Sequence, residues 1–306
     1  MTNAKEIRLR MNSIRDTQKI TNAMYLIAST KMRKAKNELD RTRPYFMALQ
    51  AEIKRIFRIA DDVESKYFYP ANGSHLLDRT YACLVITADK GLAGPYNQNA
   101  IKRAEQLLLE HPDTKLFVVG EYGRQYFRKH NIPVKRSFLY TAQNPTLSRA
   151  REISAILLDM FDSHQVDKIF VIYTDLKSNL EGEAKCTRIL PFHRKQFISD
   201  AQEKAITSPF EFFPSIPTVL DNIMHSYVSG FIYSALVDSF CSEQNARMAA
   251  MNSANENAEK ILNELSIQYN RVRQAAITQE ITEVSAGAKA QKRKRLKRQL
   301  EEVENS

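Results

Sequence analysis

The chain has 306 residues, of which 43% are apolar and 26% charged, and its formal net charge is +10 at pH 7. Length and apolar content suffice for one or two domains with a buried core, and the absence of an uncharged apolar run of 18 residues excludes a membrane-spanning helix. The excess of positive charge indicates an anionic partner and leaves nucleic acid, a membrane surface and an acidic protein open. Three cysteines at no metal-binding spacing (Cys83, Cys186 and Cys241) and the lack of a signal peptide predict a reduced, cytosolic compartment.

The N-terminal segment reads as one long amphipathic helix. Between Thr2 and Arg43 there is neither glycine nor proline, and Pro44 interrupts an apolar stripe that resumes on the same face, so we expect a kink and not a helix end. The stripe consists of Ile7, Met11, Ile14, Ile20, Met24, Ile27, Ala28, Met32, Ala35 and Leu39, and then Phe46, Leu49, Ile53, Ile56, Phe57 and Ala60.

The middle of the chain alternates short apolar runs with helical patterns, an order that predicts a small, doubly wound, Rossmann-like α/β domain. We expect the segments 98–110, 122–130 and 146–163 to be helices. The predicted strands are 81–87, 115–120, 133–139, 167–173 and 184–192, and a proline-rich linker follows at 199–217.

The longest patterned stretch lies between Pro217 and Gly287, with no proline and one glycine between them. A seam with 3-4 spacing predicts a coiled-coil helix, roughly 100 Å long at about 1.5 Å per residue. That length exceeds the diameter of a compact domain of this size, so the helix needs a partner, and the N-terminal helix is the candidate. The seam consists of Met248, Met251, Asn255, Ala258, Leu262, Leu265, Tyr269, Val272, Ala276 and Gln279.

These patterns together predict an antiparallel coiled coil of long N- and C-terminal helices with an inserted small α/β domain. The predicted segments are an N-terminal helix at 1–62, the α/β domain at 78–195, a C-terminal helix at 210–287 and a basic tail at 288–306.

The sequence offers little for catalysis. The loop Ala88–Gly94 contains glycines and a lysine after a predicted strand, but it is neither a Walker loop nor G-x-G-x-x-G, and the pair Gly120 and Gly123 is a weaker match still. The six histidines lie at no metal-ligand spacing, and three carboxylates near strand ends carry no specific signal (Asp89, Asp175 and Glu181). We therefore predict no catalytic, cofactor or metal site in this chain.

Polar residues flank the seam on the long helices and form the more unusual feature. Short side chains lie beside them, so such a helix suits close enclosure by another surface, with methionines giving adaptable contacts. The polar set includes Glu243, Arg247, Arg273, Gln274, Thr278, Gln279 and Glu280.

Four stretches of the sequence form a recognisable series. The first is the N-terminal set IRLRMNSI at 7–14, TQKIT at 17–21 and STKMR at 29–33. The second is the strand-end loop TADKGLAG at 87–94, and the third is SEQNARMAAM at 242–251. The fourth, RQAAITQEITE at 273–283, is the most specific. In this order, over nearly the whole chain, the stretches resemble the γ subunits of F-type ATP synthases, which form the central rotor shaft.

The resemblance implies a non-catalytic, peripheral subunit on the cytoplasmic face of a bacterial plasma membrane, present in one copy per complex. Its implied partners are the α and β subunits of the catalytic ring, the ε subunit and the c-ring, with no nucleic acid and no cofactor. Turning the shaft would present a different face to each β subunit. The contacts with the β subunits map by resemblance onto Arg247, Arg273, Gln274 and Thr278, and a lower contact maps onto Lys31, Arg33 and Lys34 near Met24.

Two departures from the family pattern stand out. The strand-end loop has Ala93 where the family usually has cysteine, and the chain continues as a basic segment where family members usually stop, near Gly287 in an apolar collar. We expect this segment to pass out of the collar and to lie disordered or on the outer surface. Three other interpretations stay open: a coiled-coil scaffold or adaptor with an α/β head, an α/β enzyme with helical arms, and a nucleic-acid-binding protein.

Overall fold

A computed structural model describes residues 4–59, 65–69, 80–139, 141–175, 182–193, 197 and 211–304, with side chains described up to residue 57 of the first helix and up to residue 294 of the last. Asp61, Asp62, Glu181 and most of the predicted linker lie outside these residues. The described helices include none that is long and apolar enough to cross a membrane. In chain order the elements are α1 (Ala4–Ile59), β1 (Tyr81–Ile86), α2 (Tyr96–Glu110), β2 (Lys115–Val119), α3 (Glu121–Lys129), β3 (Val134–Phe138), α4 (Leu147–Asp162), β4 (Lys168–Asp175), β5 (Glu183–Leu190) and α5 (Ile216–Glu304).

The two terminal helices are long, as predicted. α1 has 56 residues and continues through Pro44, and α5 has 89 residues. α5 does not end near Gly287 but runs on to Glu304, so the basic segment is helical over most of its length. The alternative of a disordered segment is therefore wrong, while a position on the outer surface stays a prediction. A helix former such as lysine or arginine at most of these positions supports this continuation.

The chain divides into two compact units, one formed by Met1–Met24 and Met251–Ser306 and the other by Tyr25–Ala250. The predicted domain boundaries stay a prediction, because this division follows contacts and not the four segments.

The unit Tyr25–Ala250 contains a five-stranded sheet in the order β3-β2-β1-β4-β5. β1 pairs in parallel with β2 and with β4, and β2 with β3, whereas β5 is antiparallel to β4. This is a doubly wound strand order: the chain builds the sheet outwards from β1 to β3 on one side and then continues with β4 on the other side of β1. The predicted fold class is confirmed.

Alternation along β1 sends side chains into two separate cores. Ala82, Leu84 and Ile86 pack with α4 and with parts of α1 and α5, whereas Cys83 and Val85 pack with α2 and α3. The sheet is therefore buried on both faces, as the continuous apolar runs of its central strands predict. The long helices supply one of the two covering layers.

The other unit is a helix pair. Ile7, Met11 and Leu265 are buried at its centre, and Thr21 lies beside Asn255. Residues with higher numbers on α1 contact residues with lower numbers on α5, so the two helices are antiparallel, as predicted. The half-buried neighbours of the central three are Ile14, Leu262, Tyr269 and Val272.

Two residues placed on the N-terminal stripe do not belong to it. Ile20 is 61% exposed and Ile27 is 55% exposed, whereas Gln18 and Thr21 are half-buried. Hydrophobicity alone predicts that Ile20 and Ile27 lie on the packed side of the helix. The helix register instead places the polar residues Gln18 and Thr21 on that side.

Candidate functional site

The glycines of the Gly120-x-x-Gly123 motif allow close packing around Thr87. The Thr87 hydroxyl donates to the Val119 carbonyl at 2.7 Å and accepts from the Gly123 amide at 3.1 Å. A Cβ on Gly120, whose φ is +96°, would lie 2.3 Å from the Thr87 carbonyl oxygen, and one on Gly123 would lie 2.6 Å from the Thr87 hydroxyl. The motif is thus explained by sheet-to-helix packing without a phosphate ligand.

The strand-end loop 88–94 binds the last helix through Arg247. The guanidinium of Arg247 donates to the Gly91 carbonyl at 3.1 Å and pairs with Glu243 at 2.5 Å. Leu92 and Gly94 both have positive φ, at 62° and 51°, which turns the loop tightly enough to present this carbonyl. The loop carbonyl therefore receives a cation from the protein's own chain.

Burial dominates the electrostatics of this contact. Glu243 is 6% exposed and Arg247 is 9% exposed. Burial raises the pKa of the Glu243 carboxyl, and the Arg247 guanidinium opposes that rise, while Asp89 adds to it and Lys31 reduces it. The stability of such a buried ion pair requires both partners, because removal of either one leaves the other charge buried without a counterion.

Two serines of α5 form hydrogen bonds with the backbone at the end of β4. The Thr174 amide donates to the Ser239 hydroxyl at 3.1 Å, and the Ser242 hydroxyl donates to the Thr174 carbonyl at 3.2 Å. Tyr96 packs with Ala246 in a small apolar cluster beside them. The segment 239–247 of α5 is thus fixed at the carboxyl end of the sheet.

A second carboxylate, the half-buried Asp238, lies five residues before Glu243 on α5. Burial and the charge of Asp175 raise the pKa of Asp238 to about 6, although the Ser234 hydroxyl and the cations Arg43 and Lys185 act in the opposite direction. Asp175 itself forms an ion pair with Lys185. The pKa of Asp238 therefore lies well above that of an exposed aspartate.

The lower contact expected on α1 is a solvent-facing basic patch. Lys31, Arg33 and Lys34 are all exposed, while Met32 between them faces α5, where its carbonyl lies 3.9 Å from the Cys241 sulfur. Burial raises the pKa of the Cys241 thiol to about 12. Met24, which we grouped with this patch, is half-buried and belongs to the helix-pair unit.

The C-terminal polar set lies past the last covered layer of the helix pair. Val272 is half-buried, whereas Ala276 and Gln279 are exposed. The described hydrogen bonds of the polar set stay within α5, from Thr278 to the Gln274 carbonyl at 2.9 Å and from Gln279 to Glu283 at 2.9 Å. All five predicted contact residues here are exposed, namely Arg273, Gln274, Thr278, Gln279 and Glu280.

The carboxylates near the strand ends, which carry no specific signal in the sequence, have separate surroundings. Asp89 accepts from the Glu121 amide at 2.9 Å, Asp175 pairs with Lys185, and Glu181 lies outside the described residues. Within the described part of the chain, no group of three or more acidic, histidine or cysteine residues could hold a metal ion.

A polar layer in the helix pair was not predicted. The Thr21 hydroxyl donates to the Asn255 side-chain oxygen, and the Asn255 amide donates to Asn22 at 3.2 Å. The signal was present in the sequence, because Asn255 breaks the apolar rule of the α5 seam. What the sequence did not show was which residues of α1 face it.

Comparison with known proteins places the chain in a family. Residues 3–291 match the model of a protein family described as ATP synthase. The ATP synthase gamma chain of Acetivibrio thermocellus is 40% identical over 297 residues, covering 95% of this chain and 100% of that protein. The chain belongs to the ATP synthase γ-chain family.

Other γ chains show similar agreement. That of Caldanaerobacter subterraneus is 41% identical over 292 residues, covering 93% of this chain and 98% of its own length. A γ chain described as sodium ion specific, from Acetobacterium woodii, is 33% identical over 302 residues, with 94% and 98% covered.

Solved structures support the fold of this γ chain. A chain from the central stalk and c-ring of the Tetrahymena thermophila mitochondrial ATP synthase matches with a TM-score of 0.59 and 23% identity, covering 77% of this chain and 99% of that one. A chain of the Euglena gracilis mitochondrial ATP synthase matches with a TM-score of 0.52 and 14% identity, covering 88% and 95%.

Proposed function

We propose that this chain is the central stalk, or rotor, of an F-type ATP synthase and couples ion-driven rotation of a c-ring to ATP synthesis or hydrolysis in a ring of α and β subunits. The family match over residues 3–291 carries this proposal. The coiled-coil scaffold, our alternative, does not account for a match of that extent. The subunit itself is non-catalytic, in keeping with a loop that is occupied by Arg247.

The mechanism is differential contact. A shaft whose faces differ stabilises a different conformation in each β subunit that it touches, and turning it moves each catalytic site through its states in order. The exposed set on α5 beyond Val272 supplies such a face, with Arg273 as its cation and Glu280 as its anion. Acidic loops of the β subunits are the expected partners of Arg273, Gln274 and Thr278.

We assign Arg247 and Glu243 a different part in the same mechanism. Both are buried, and Arg247 already bonds to Gly91 and Glu243. They therefore hold α5 against the strand-end loop, so that torque applied to the α/β domain reaches α5 without slip. The exposed Lys31, Arg33 and Lys34 remain available for an acidic partner.

We infer that each complex contains one copy of the chain, with the ε subunit and the c-ring as neighbours of the α/β domain. The chain then lies at the cytoplasmic face of a bacterial plasma membrane and is held there through the c-ring.

The direct test is co-expression with matching α and β subunits, followed by native mass spectrometry and ATPase assays. We expect one copy per ring and a hydrolysis rate that depends on the chain. Arg273→Gln should lower that rate about tenfold, the loss of one charge-assisted contact, whereas Lys260→Gln, an exposed control on α5, should leave it unchanged. A chain that stays apart from the ring, or binds in several copies, would favour the scaffold.

A further inference from the structure

A cleft of about 210 Å³ lies between α1, α4 and α5, within the unit Tyr25–Ala250. Tyr45 and Phe46 of α1 and Leu147 of α4 form its apolar walls, and Arg151 of α4 and one turn of α5 complete it. Tyr45 and Arg151 are exposed, so the cleft is open to solvent on their side. An apolar cavity of about 150 Å³ binds benzene, so this cleft can hold one ring with a small substituent.

Gly230, the one glycine between Pro217 and Gly287, allows the aromatic wall of the cleft to form. A Cβ on this residue would lie 2.1 Å from the Phe46 ring, so glycine lets the ring lie directly against α5. Glycine in a helix interior is less stable than alanine. The packing of Phe46 therefore explains why α5 carries a glycine at this position.

The cation of the cleft has no counterion among the residues that the structure describes. The Arg151 guanidinium forms no ion pair or hydrogen bond with them, and none of the residues that line the cleft is acidic. Arg149 on the same helix, in contrast, donates to the Asn144 carbonyl at 3.4 Å. A guanidinium presents a planar set of donors that matches the two oxygens of a carboxylate.

The turn of α5 that lines the cleft adds a second donor. The half-buried Ser226 hydroxyl has no hydrogen-bond partner in the described part of the chain, whereas the Ser229 hydroxyl donates to the His225 carbonyl at 2.9 Å. The His225 ring is held in place, because the Tyr67 hydroxyl donates to Asp162 at 3.3 Å and accepts from His225 Nε2 at 3.1 Å. Ser226 is thus available to a ligand beside a fixed polar wall.

This set of side chains discriminates between classes of ligand. A neutral ligand would leave the Arg151 guanidinium without a counterion. A phosphate monoester carries close to two negative charges, which one guanidinium does not balance. A single carboxylate matches one guanidinium and one hydroxyl, and the apolar walls favour a ligand that also carries a ring or a short chain.

We propose that the cleft binds a small carboxylic acid, with its carboxylate on Arg151 and Ser226. The ring or short chain of the acid lies between the three apolar walls. A ligand in this position touches α1, α4 and α5 together and stabilises their packing. This site does not depend on the rotor function, so either proposal can fail without the other.

Ligand-observed NMR with benzoate and the full-length chain tests this proposal. We expect saturable binding with a dissociation constant on the order of 1 mM, which is reasonable for so small a ligand. Benzamide has the same shape without the charge and should bind about tenfold more weakly, because the charge-assisted hydrogen bonds are lost. Benzoate that shows no saturable binding, or that binds no better than benzamide, overturns the proposal.

Inorganic phosphate tests the apolar part of the site. At the same concentration as benzoate it should leave the bound fraction of benzoate unchanged, because it cannot fill the space between the apolar walls. Displacement of benzoate by phosphate would indicate a general anion site and would overturn the assignment to a carboxylic acid.

Two arginine variants locate the charged contact. Arg151→Gln should weaken benzoate binding about tenfold and leave benzamide binding unchanged, since only the interaction with the anion is lost. The matched control is Arg128→Gln, which removes an equal charge from an exposed position of α3, a helix that packs on the other face of the sheet through Phe127. Equal weakening in both variants would show that net charge attracts the ligand, and would overturn the site.

A third variant tests the location independently of charge. Ser226→Leu fills the cleft and should abolish the binding of both benzoate and benzamide, with a circular dichroism spectrum like that of the unchanged chain. Full binding by this variant would place the ligand elsewhere and contradict the proposal. Arg151 is exposed, so its variant keeps the fold and decides the question even where the leucine variant does not fold.

Discussion

Arg247 contributes to stability more than its position on a long exposed helix would suggest. Arg247→Met leaves the Glu243 carboxylate buried without its cation, which should lower the free energy of unfolding by about 3 kcal/mol. The pKa of Glu243 is already raised by burial and rises further in the variant. Its protonation at low pH relieves the unpaired charge, so the loss should be larger at pH 8 than at pH 5.

Urea unfolding at the two pH values measures this loss. The matched control is the double variant Arg247→Met with Glu243→Gln, which removes both charges and should recover more than half of the lost free energy. A single variant that loses the same amount at both pH values would show that the carboxylate is not the cause.

Asp238 makes the fold less stable as pH rises. Its pKa is about 6 in the folded chain against an ordinary 3.8. As pH rises from 3.8 to 6, the unfolded chain loses this proton before the folded chain does. The free energy of unfolding therefore falls over this pH range. Asp238→Asn should add about 2 kcal/mol to the free energy of unfolding at pH 8 and nothing below pH 4. Asp175→Asn, which removes the partner of Lys185, should not stabilise the chain at pH 8, and equal gains from both variants would contradict the assignment.

Two glycines of the same region should respond differently to alanine. Gly120→Ala places a methyl group 2.3 Å from a backbone oxygen at a φ of +96° and should cost more than about 3 kcal/mol. A Cβ on Gly91 meets nothing within 4 Å, so Gly91→Ala should be nearly neutral. Thermal unfolding of the pair decides this, and similar losses in both would refute the packing explanation of the Gly120-x-x-Gly123 motif.

At the scale of the helices, the polar layer at Asn255 lowers the stability of the helix pair but fixes its register. Asn255→Leu should raise the free energy of unfolding of the helix pair by about 1 kcal/mol and should allow the helices to slide. Spin labels at the exposed positions Arg10 and Lys260 measure the register directly. We expect a broader distance distribution in the variant, and an unchanged one would show that apolar packing alone sets the register.

The elements of the fold were largely predictable, because period-3.6 stripes, buried strand runs and proline positions act locally. What a single stripe cannot specify is which residues of a second helix it meets. For that reason Ile20 and Ile27 were placed on the packed side although both are exposed. The layer formed by Thr21 and Asn255 depends on pairing across 234 residues, and it appears only in the folded chain.

The site was predicted less well than the fold. Arg273 and its neighbours are exposed, as a contact surface requires, but their contacts with other subunits stay a prediction. Arg247 and Glu243 resembled ordinary surface charges on a helix, because nothing in the local pattern shows that a loop 156 residues away supplies a carbonyl.

At the scale of the whole molecule, both long helices contribute to both compact units. A rotor must transmit torque along such helices. α5 is helical from Ile216 to Glu304, and α1 stays helical through Pro44 although this residue has no amide hydrogen to donate, so we assign the transmission to these two helices. In the proposed function, ATP synthesis and hydrolysis take place in the ring of α and β subunits, inside which this chain turns.

Single-molecule rotation tests this central claim most directly. A ring of matching α and β subunits is fixed to a surface, and a bead is attached to the α/β domain of this chain. We expect the bead to turn in one direction when ATP is supplied and to stop when ATP is removed. ATP hydrolysis at an undiminished rate with a bead that shows no net rotation would contradict it.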